Sequence, residues 1–198
     1  MSKILLFIIL TSVLVACNTK PKKIDDFLND KKLSNQKKLA LIFKNNYLDQ
    51  IGFNKYEVDW LKEIYKRNNN KPLFCNDSNL TELGLTSIES LKEPLSFGIP
   101  DNRLKAYASK SLHPLIQELY LCINSSRIFY DLNNGIINFE KKTTKPSQLI
   151  NPDDFMSKIN QLDTTTLSQQ FLKQGPTDTN YRFLATHIYN FCKSYPLD

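Results

Sequence analysis

PLIQELYLCINSSRIFYDLNN, residues 114–134 and followed by Gly135, is the stretch on which the fold turns. Pro114 stands at its first turn, where the missing N–H would have had no helical partner anyway. Leu115, Leu119, Cys122, Ser126 and Phe129 then recur at steps of four, three, four and three, the period of an α-helix with one face turned inward. Asn134-Gly135 supplies the C-terminal stop.

The segments on either side carry helical signals of the same kind. Upstream, Ser34 reads as an N-cap before Leu39, Ile42, Phe43 and Tyr47, and Gly52 closes that helix. Asn54 and Glu57 form a capping pair before Val58, Leu61, Ile64 and Tyr65, with Trp60 expected to help close the core and Asn68-Asn69-Asn70 to turn the chain. Pro72-Leu73-Phe74-Cys75 is expected to be extended, with a turn at Asn76-Asp77-Ser78. Two short helices should follow, the second opening with a Thr86/Glu89 capping box and stopping at Pro94. Ser96 to Pro100 reads as a loop, and Leu104, Tyr107 and Ala108 as a further helical piece.

Downstream, residues 136–150 read as a loop or short extended segment. Asn151-Pro152-Asp153-Asp154 places a cap, a first-turn proline and two carboxylates at a helix N-terminus, where the dipole favours negative charge. Thr166 and Gln169 cap another helix ending at Gly175-Pro176, and the last helix carries Tyr181, Leu184, Ala185, Ile188 and Cys192 on one face before Pro196. No stretch shows sustained two-residue alternation. The expected class is all-α, an irregular multi-helix domain over residues 34–198 with long connecting loops.

The N-terminal segment reads differently. Lys3 precedes an apolar run from Ile4 to Ala16, and Leu14-Val15-Ala16-Cys17 has the form of a bacterial lipoprotein signal. The run would span roughly 20 Å as a helix, too little for about 30 Å of hydrocarbon, so it reads as an export segment rather than an anchor. Residues 1–16 are then a signal peptide, Cys17 the acylated N-terminus of the mature chain, and residues 17–33 a flexible tether, with Ile24, Phe27 and Leu28 able to make one short turn. Several acyl chains on Cys17 would hold the chain stably on a membrane, at about 0.8 kcal/mol per buried methylene. The expected location is the cell envelope, on the periplasmic side. Asn18 lacks the aspartate that marks inner-membrane retention, which favours the outer membrane where two membranes exist.

The chain carries 26 Lys plus Arg against 20 Asp plus Glu, a net charge of +6, much of it near the anchor at Lys20, Lys22, Lys23, Lys31, Lys32, Lys37 and Lys38. Anionic headgroups suit such a lysine cluster, whereas nucleic acid calls for arginine-rich patches with exposed aromatics, and the arginines are only Arg67, Arg103, Arg127 and Arg182. Cys75, Cys122 and Cys192 permit at most one disulfide. Cys122 and Cys192 fall on apolar stripes and read as buried free thiols, and Cys75 lies in a loop.

No cofactor or metal is expected, because His113 and His187 have no ligand partners at local spacing and the chain has only five glycines. Glu89-Ser90 is similar to the glutamate-serine pair of lytic transglycosylases, but Glu89 is better used as a cap after Thr86. Tyr107, Tyr120, Phe129, Tyr130, Tyr181 and Tyr189 are candidates to line a glycan or peptide groove, though aromatics at helical spacing are mostly core.

Several segments resemble the N-terminal scaffold domain of large bacterial L,D-transpeptidases, the enzymes that crosslink peptidoglycan stem peptides. Tyr65 with Pro72-Leu73-Phe74 resembles the family's tyrosine and Pro-Leu-Trp step, with phenylalanine in place of tryptophan. Gly98-Ile99-Pro100 resembles its Gly-Leu-x-Pro turn, one residue short. Glu118-Leu119 to Phe129-Tyr130-Asp131-Leu132, with Gly135, resembles its aromatic-rich, glycine-terminated helix. Pro176, Tyr181 and Leu184 resemble its closing pattern. The family's catalytic Ser-His-Gly-Cys motif is not in this sequence, so the resemblance implies cell-wall context without transpeptidase chemistry. The expectation is a non-catalytic, lipid-anchored module that binds or positions a peptidoglycan-remodelling partner or the wall itself. The alternative is the truncated or split N-terminal part of an L,D-transpeptidase.

Overall fold

A computed structural model describes residues 23–92, 98–105, 112–138, 143–144 and 146–162, with residues 183, 184, 186, 187, 190, 191 and 194. The fold is all-α. Six α-helices lie among the described residues: α1 (Ile24–Leu28), α2 (Asn35–Lys44), α3 (Lys55–Arg67), α4 (Glu82–Lys92), α5 (Pro114–Asn134) and α6 (Pro152–Asn160). Short 3-10 turns cover Tyr47–Ile51 and Asp101–Arg103. A two-residue antiparallel pair, Ile137–Asn138 with Thr143–Thr144, forms in the segment read as a loop or short extended stretch. Cys17, the signal peptide, Cys192 and the Thr166/Gln169 cap lie outside the described residues.

α5 is the axis of the molecule, and it is buried on more than the single stripe that the spacing suggests. Sixteen of its 21 residues are buried, so the helix is wrapped on nearly all sides rather than floated on one face. α3 and α4 pack on it, and α6 packs on α3. Tyr65, Phe74, Phe129 and Phe155 are the largest fully buried side chains. Trp60 closes the core as expected: its ring stands edge-on to Phe155 at 4.9 Å, and its Nε1–H donates to the Ile150 carbonyl at 2.7 Å.

Three local readings are corrected. The helix opened by Ser34 does not run to Gly52: it stops at Lys44, because Asn46 adopts a left-handed conformation (φ 54°), and a 3-10 turn covers the rest. The expected two short helices after residue 78 are one helix, α4. Thr86 lies in its interior, with its hydroxyl donating to the Glu82 and Leu83 carbonyls, so Thr86/Glu89 is no capping box. The cap is Thr81, whose Oγ1 accepts from the Gly84 N–H at 3.2 Å. Finally, a helix lies ahead of Ser34. The short turn at Ile24, Phe27 and Leu28 is helix α1, Leu28 is buried, and the buried Lys38 Nζ donates to the Leu28 carbonyl at 2.7 Å.

The other caps form as read. Asn54 and Glu57 make a reciprocal capping box, and the Asn151 side chain accepts from the Asp153 N–H at the start of α6, with Pro152 at its first position. Asp153 forms an ion pair with Arg67 on α3.

Candidate functional site

Glu118 sits on the face of α5 that meets α3 and the Pro72–Cys75 segment, and it is fully buried. Its carboxylate accepts the Tyr65 hydroxyl at 2.6 Å and the backbone N–H groups of Leu73 and Phe74 at 2.6 and 2.7 Å. One turn further along, the Cys122 sulfur lies 3.1 Å from the Tyr65 oxygen, and Cys75 is buried near the same carboxylate. Cys75 is buried rather than open in a loop, and the Asn35 side chain points its amide at the sulfur from 3.6 Å.

Burial pushes the Glu118 carboxyl up, against the pull of its donors. Burial also pushes the Tyr65 hydroxyl and both thiols up, reinforced by the negative field of Glu118 on Cys75 and Cys122. The thiols are therefore held protonated, the opposite of the depressed pKa that a nucleophilic cysteine needs. What the arrangement does is join three segments distant in sequence through one acceptor.

A second charged centre holds the chain at residues 98–105. Glu57, 1 % exposed, accepts from Arg127 at 2.6 Å and from Lys105 at 2.9 Å while also capping α3. Arg103 and Asp131 form a two-pronged pair at 2.9 and 2.5 Å, both buried. The Asn124 side chain brackets the Lys105 backbone, accepting its N–H and donating to its carbonyl.

The concave surface lies around His113, the N-cap of α5. Two depressions, of about 470 and 680 Å³, share Leu28, Asn29 and His113. The first is largely apolar, lined by Ile24, Ile51, Leu112, Ile116 and Tyr120 with Asp25 at its side. The second is polar, lined by Lys31, Ser34, Lys38, Asp77 and Ser78. His113 Nδ1 accepts from the Leu115 N–H at 3.2 Å, and burial, helped by the Lys38 charge, lowers its pKa. The imidazole is thus a neutral cap between an apolar and a basic hollow.

Of the residues singled out from sequence, the structure brings Tyr65, Cys75 and Cys122 together at Glu118. It places His113 at the helix entrance, as read. His187 is exposed, with its ring 3.9 Å from that of Phe183. Glu89 pairs with Lys92, and the Ser90 hydroxyl donates to the Thr86 carbonyl, so the two are not paired with one another. Tyr120 lines the apolar hollow and donates to the Ile51 carbonyl, whereas Phe129 is core; Tyr107, Tyr181 and Tyr189 lie outside the described residues. Among the described residues no cluster of three ligating side chains could hold a metal, and no helix is long and apolar enough to cross a membrane.

Fold and site together define a class: an all-α domain whose buried ionisable groups are spent on holding segments together, with one amphipathic concavity beside its N-terminal helix. No protein-family model, curated protein or solved structure matches the chain.

The hub at Glu118 and the Glu57–Arg127 and Arg103–Asp131 pairs escape a search for catalytic motifs. The signal for the first was present. Glu118 stands between Leu115, Leu119 and Cys122, on the inward stripe, and a carboxylate there must find buried donors.

Proposed function

We propose that this chain is a non-catalytic, lipid-anchored module of the cell envelope, carried by Cys17, that binds or positions a peptidoglycan-remodelling partner or the wall itself. The observation that carries the reading is the convergence at Glu118. Tyr65, Leu73-Phe74 and the start of the Glu118–Leu132 stretch, three pieces of the resemblance to the L,D-transpeptidase scaffold, are linked there by three hydrogen bonds to one carboxylate. Of the residues that carry the resemblance, Tyr65, Phe74, Glu118 and Phe129 are buried framework residues, whereas Leu184 is exposed, and the thiols beside Glu118 are kept unreactive. The apolar hollow beside His113, lined by Ile51, Ile116 and Tyr120, is the surface offered to the ligand.

The intact mass of the protein extracted from its own membranes, together with sedimentation of the Cys17→Ser chain with purified sacculi, tests this. The expected results are a mass of residues 17–198 plus three acyl chains, loss of membrane retention in Cys17→Ser, and co-sedimentation with sacculi or recovery of a catalytic transpeptidase. Lysis of the sacculi would overturn the non-catalytic reading. Unmodified Cys17 would overturn the anchor, and a longer native polypeptide would make the chain part of an enzyme.

A further inference from the structure

The net charge of the chain is segregated. Residues 17–44 hold eight lysines and three aspartates, an excess of +5, while residues 45–198 balance to zero. In the described part of that segment the exposed lysines sit at the N-cap of α1, in the turn after it and on α2, whereas α1 itself carries exposed Asp25 and Asp26 and no lysine. Lys23, Lys31, Lys32, Lys37 and Lys44 are all exposed, and among the described residues none forms an ion pair with a carboxylate. Lys37 and Lys44 stand seven residues apart on α2, hence on one face, with exposed Ala40 between them and Leu39 and Ile42 turned into the core. Two of the three aspartates are engaged locally: Asp26 accepts from the Lys23 N–H and Asp30 from the Lys32 N–H. Lys38 is buried and supports the surface from within.

We infer that the Asn29–Leu33 turn and the outer side of α2, with Lys31, Lys32, Lys37 and Lys44, dock on an anionic lipid bilayer. The inference deepens the reading of Cys17 as an acylated anchor and rests on it. Lys23 is six residue steps from Cys17, and at about 3.3–3.6 Å each they reach at most roughly 20 Å. An acylated Cys17 therefore holds α1 within about 20 Å of the headgroups, and the lysine face is the part of the domain that enters at that end. Each lysine near such a surface is worth about 1 kcal/mol, or roughly fivefold in binding.

The test uses the Cys17→Ser chain, whose binding to vesicles owes nothing to acylation. It is expected to sediment with vesicles containing phosphatidylglycerol, to ignore vesicles of phosphatidylcholine alone, and to be released by 0.5 M salt, since screening shortens the reach of charge to a few ångströms at about 1 M. Replacing Lys31, Lys32, Lys37 and Lys44 together with Gln should weaken binding on the order of 100-fold or more. The same replacement at Lys55, Lys62, Lys66 and Lys71 removes equal charge elsewhere and should change it less than tenfold; unchanged circular dichroism shows that both variants fold. Equal binding to neutral vesicles, no binding to anionic ones, or equal losses from the two quadruple variants would overturn the docking face. Failure of the anchor itself would show separately, as an unmodified Cys17 in the native protein's mass.

Discussion

Removing the Glu118 carboxylate should cost this fold about as much as any single substitution can. In Glu118→Ala the Tyr65 hydroxyl and the Leu73 and Phe74 N–H groups lose their common acceptor inside the core. A buried donor left without a partner costs about 1–3 kcal/mol, so three give about 3–9 kcal/mol. Against this stands relief of the carboxylate's own burial penalty, several kcal/mol, which is what pushes its pKa up. Taking that relief as about 3 kcal/mol leaves a net loss centred at about 3 kcal/mol. Glu118→Gln keeps the shape and one acceptor oxygen but turns an amide donor towards a backbone donor, for a loss of about 2–3 kcal/mol. Tyr65→Phe removes one of the three donors, and its cycle with Glu118→Gln should show a coupling of about 1–2 kcal/mol.

Urea unfolding followed by the fluorescence of the single tryptophan, buried Trp60, measures these values. The sign of the pH dependence is fixed too. A carboxyl whose folded pKa is raised stabilises most below its unfolded pKa and loses that contribution as pH rises through the folded one. Glutamine does not titrate, so the advantage of wild type over Glu118→Gln should shrink from about pH 4.5 upwards, the ordinary carboxyl value. A Glu118→Ala loss below 1 kcal/mol, or an advantage that grows with pH, would refute the account of Glu118 as the joint of three segments.

Two further changes test other parts of the structure. Gly84→Ala on α4 would build its Cβ into the Phe74 carbonyl oxygen, so despite a helix preference of about 1 kcal/mol for alanine the thermal midpoint should fall rather than rise. His113, whose pKa is lowered, caps α5 as a neutral imidazole; its contribution is present above the unfolded pKa of 6.5 and lost as pH falls through the folded value. Wild type should therefore lose more stability than His113→Asn between pH 7 and pH 5 in urea titrations, because asparagine caps at both.

The helical class and most helix starts were legible because caps and apolar period are local signals: Ser34, Asn54 and Asn151 each sit where the spacing puts them. The break at Asn46 was not, since asparagine tolerates helix interiors and left-handed turns almost equally in sequence, and only packing chooses. Thr86 misled for the mirror reason, as a threonine followed by Glu89 reads as a cap unless one knows that Thr81 already occupies that role. The buried charge centres depend on pairings 28 to 70 residues apart, such as Arg103 with Asp131 and Glu57 with Arg127, which no local window contains.

α1 also has a mechanical meaning. Tension on the chain ahead of Lys23 would load α1 before any other described element. α1 is held by buried Leu28, by partly buried Ile24 and Phe27 against the core, by the Lys38 bond to the Leu28 carbonyl and by the contact of Phe27 with Tyr47. Residues 23–33 fully extended would span about 40 Å, at 3.3–3.6 Å per residue. The first helix would then act as a reserve of slack, let out under tension and rewound when it drops.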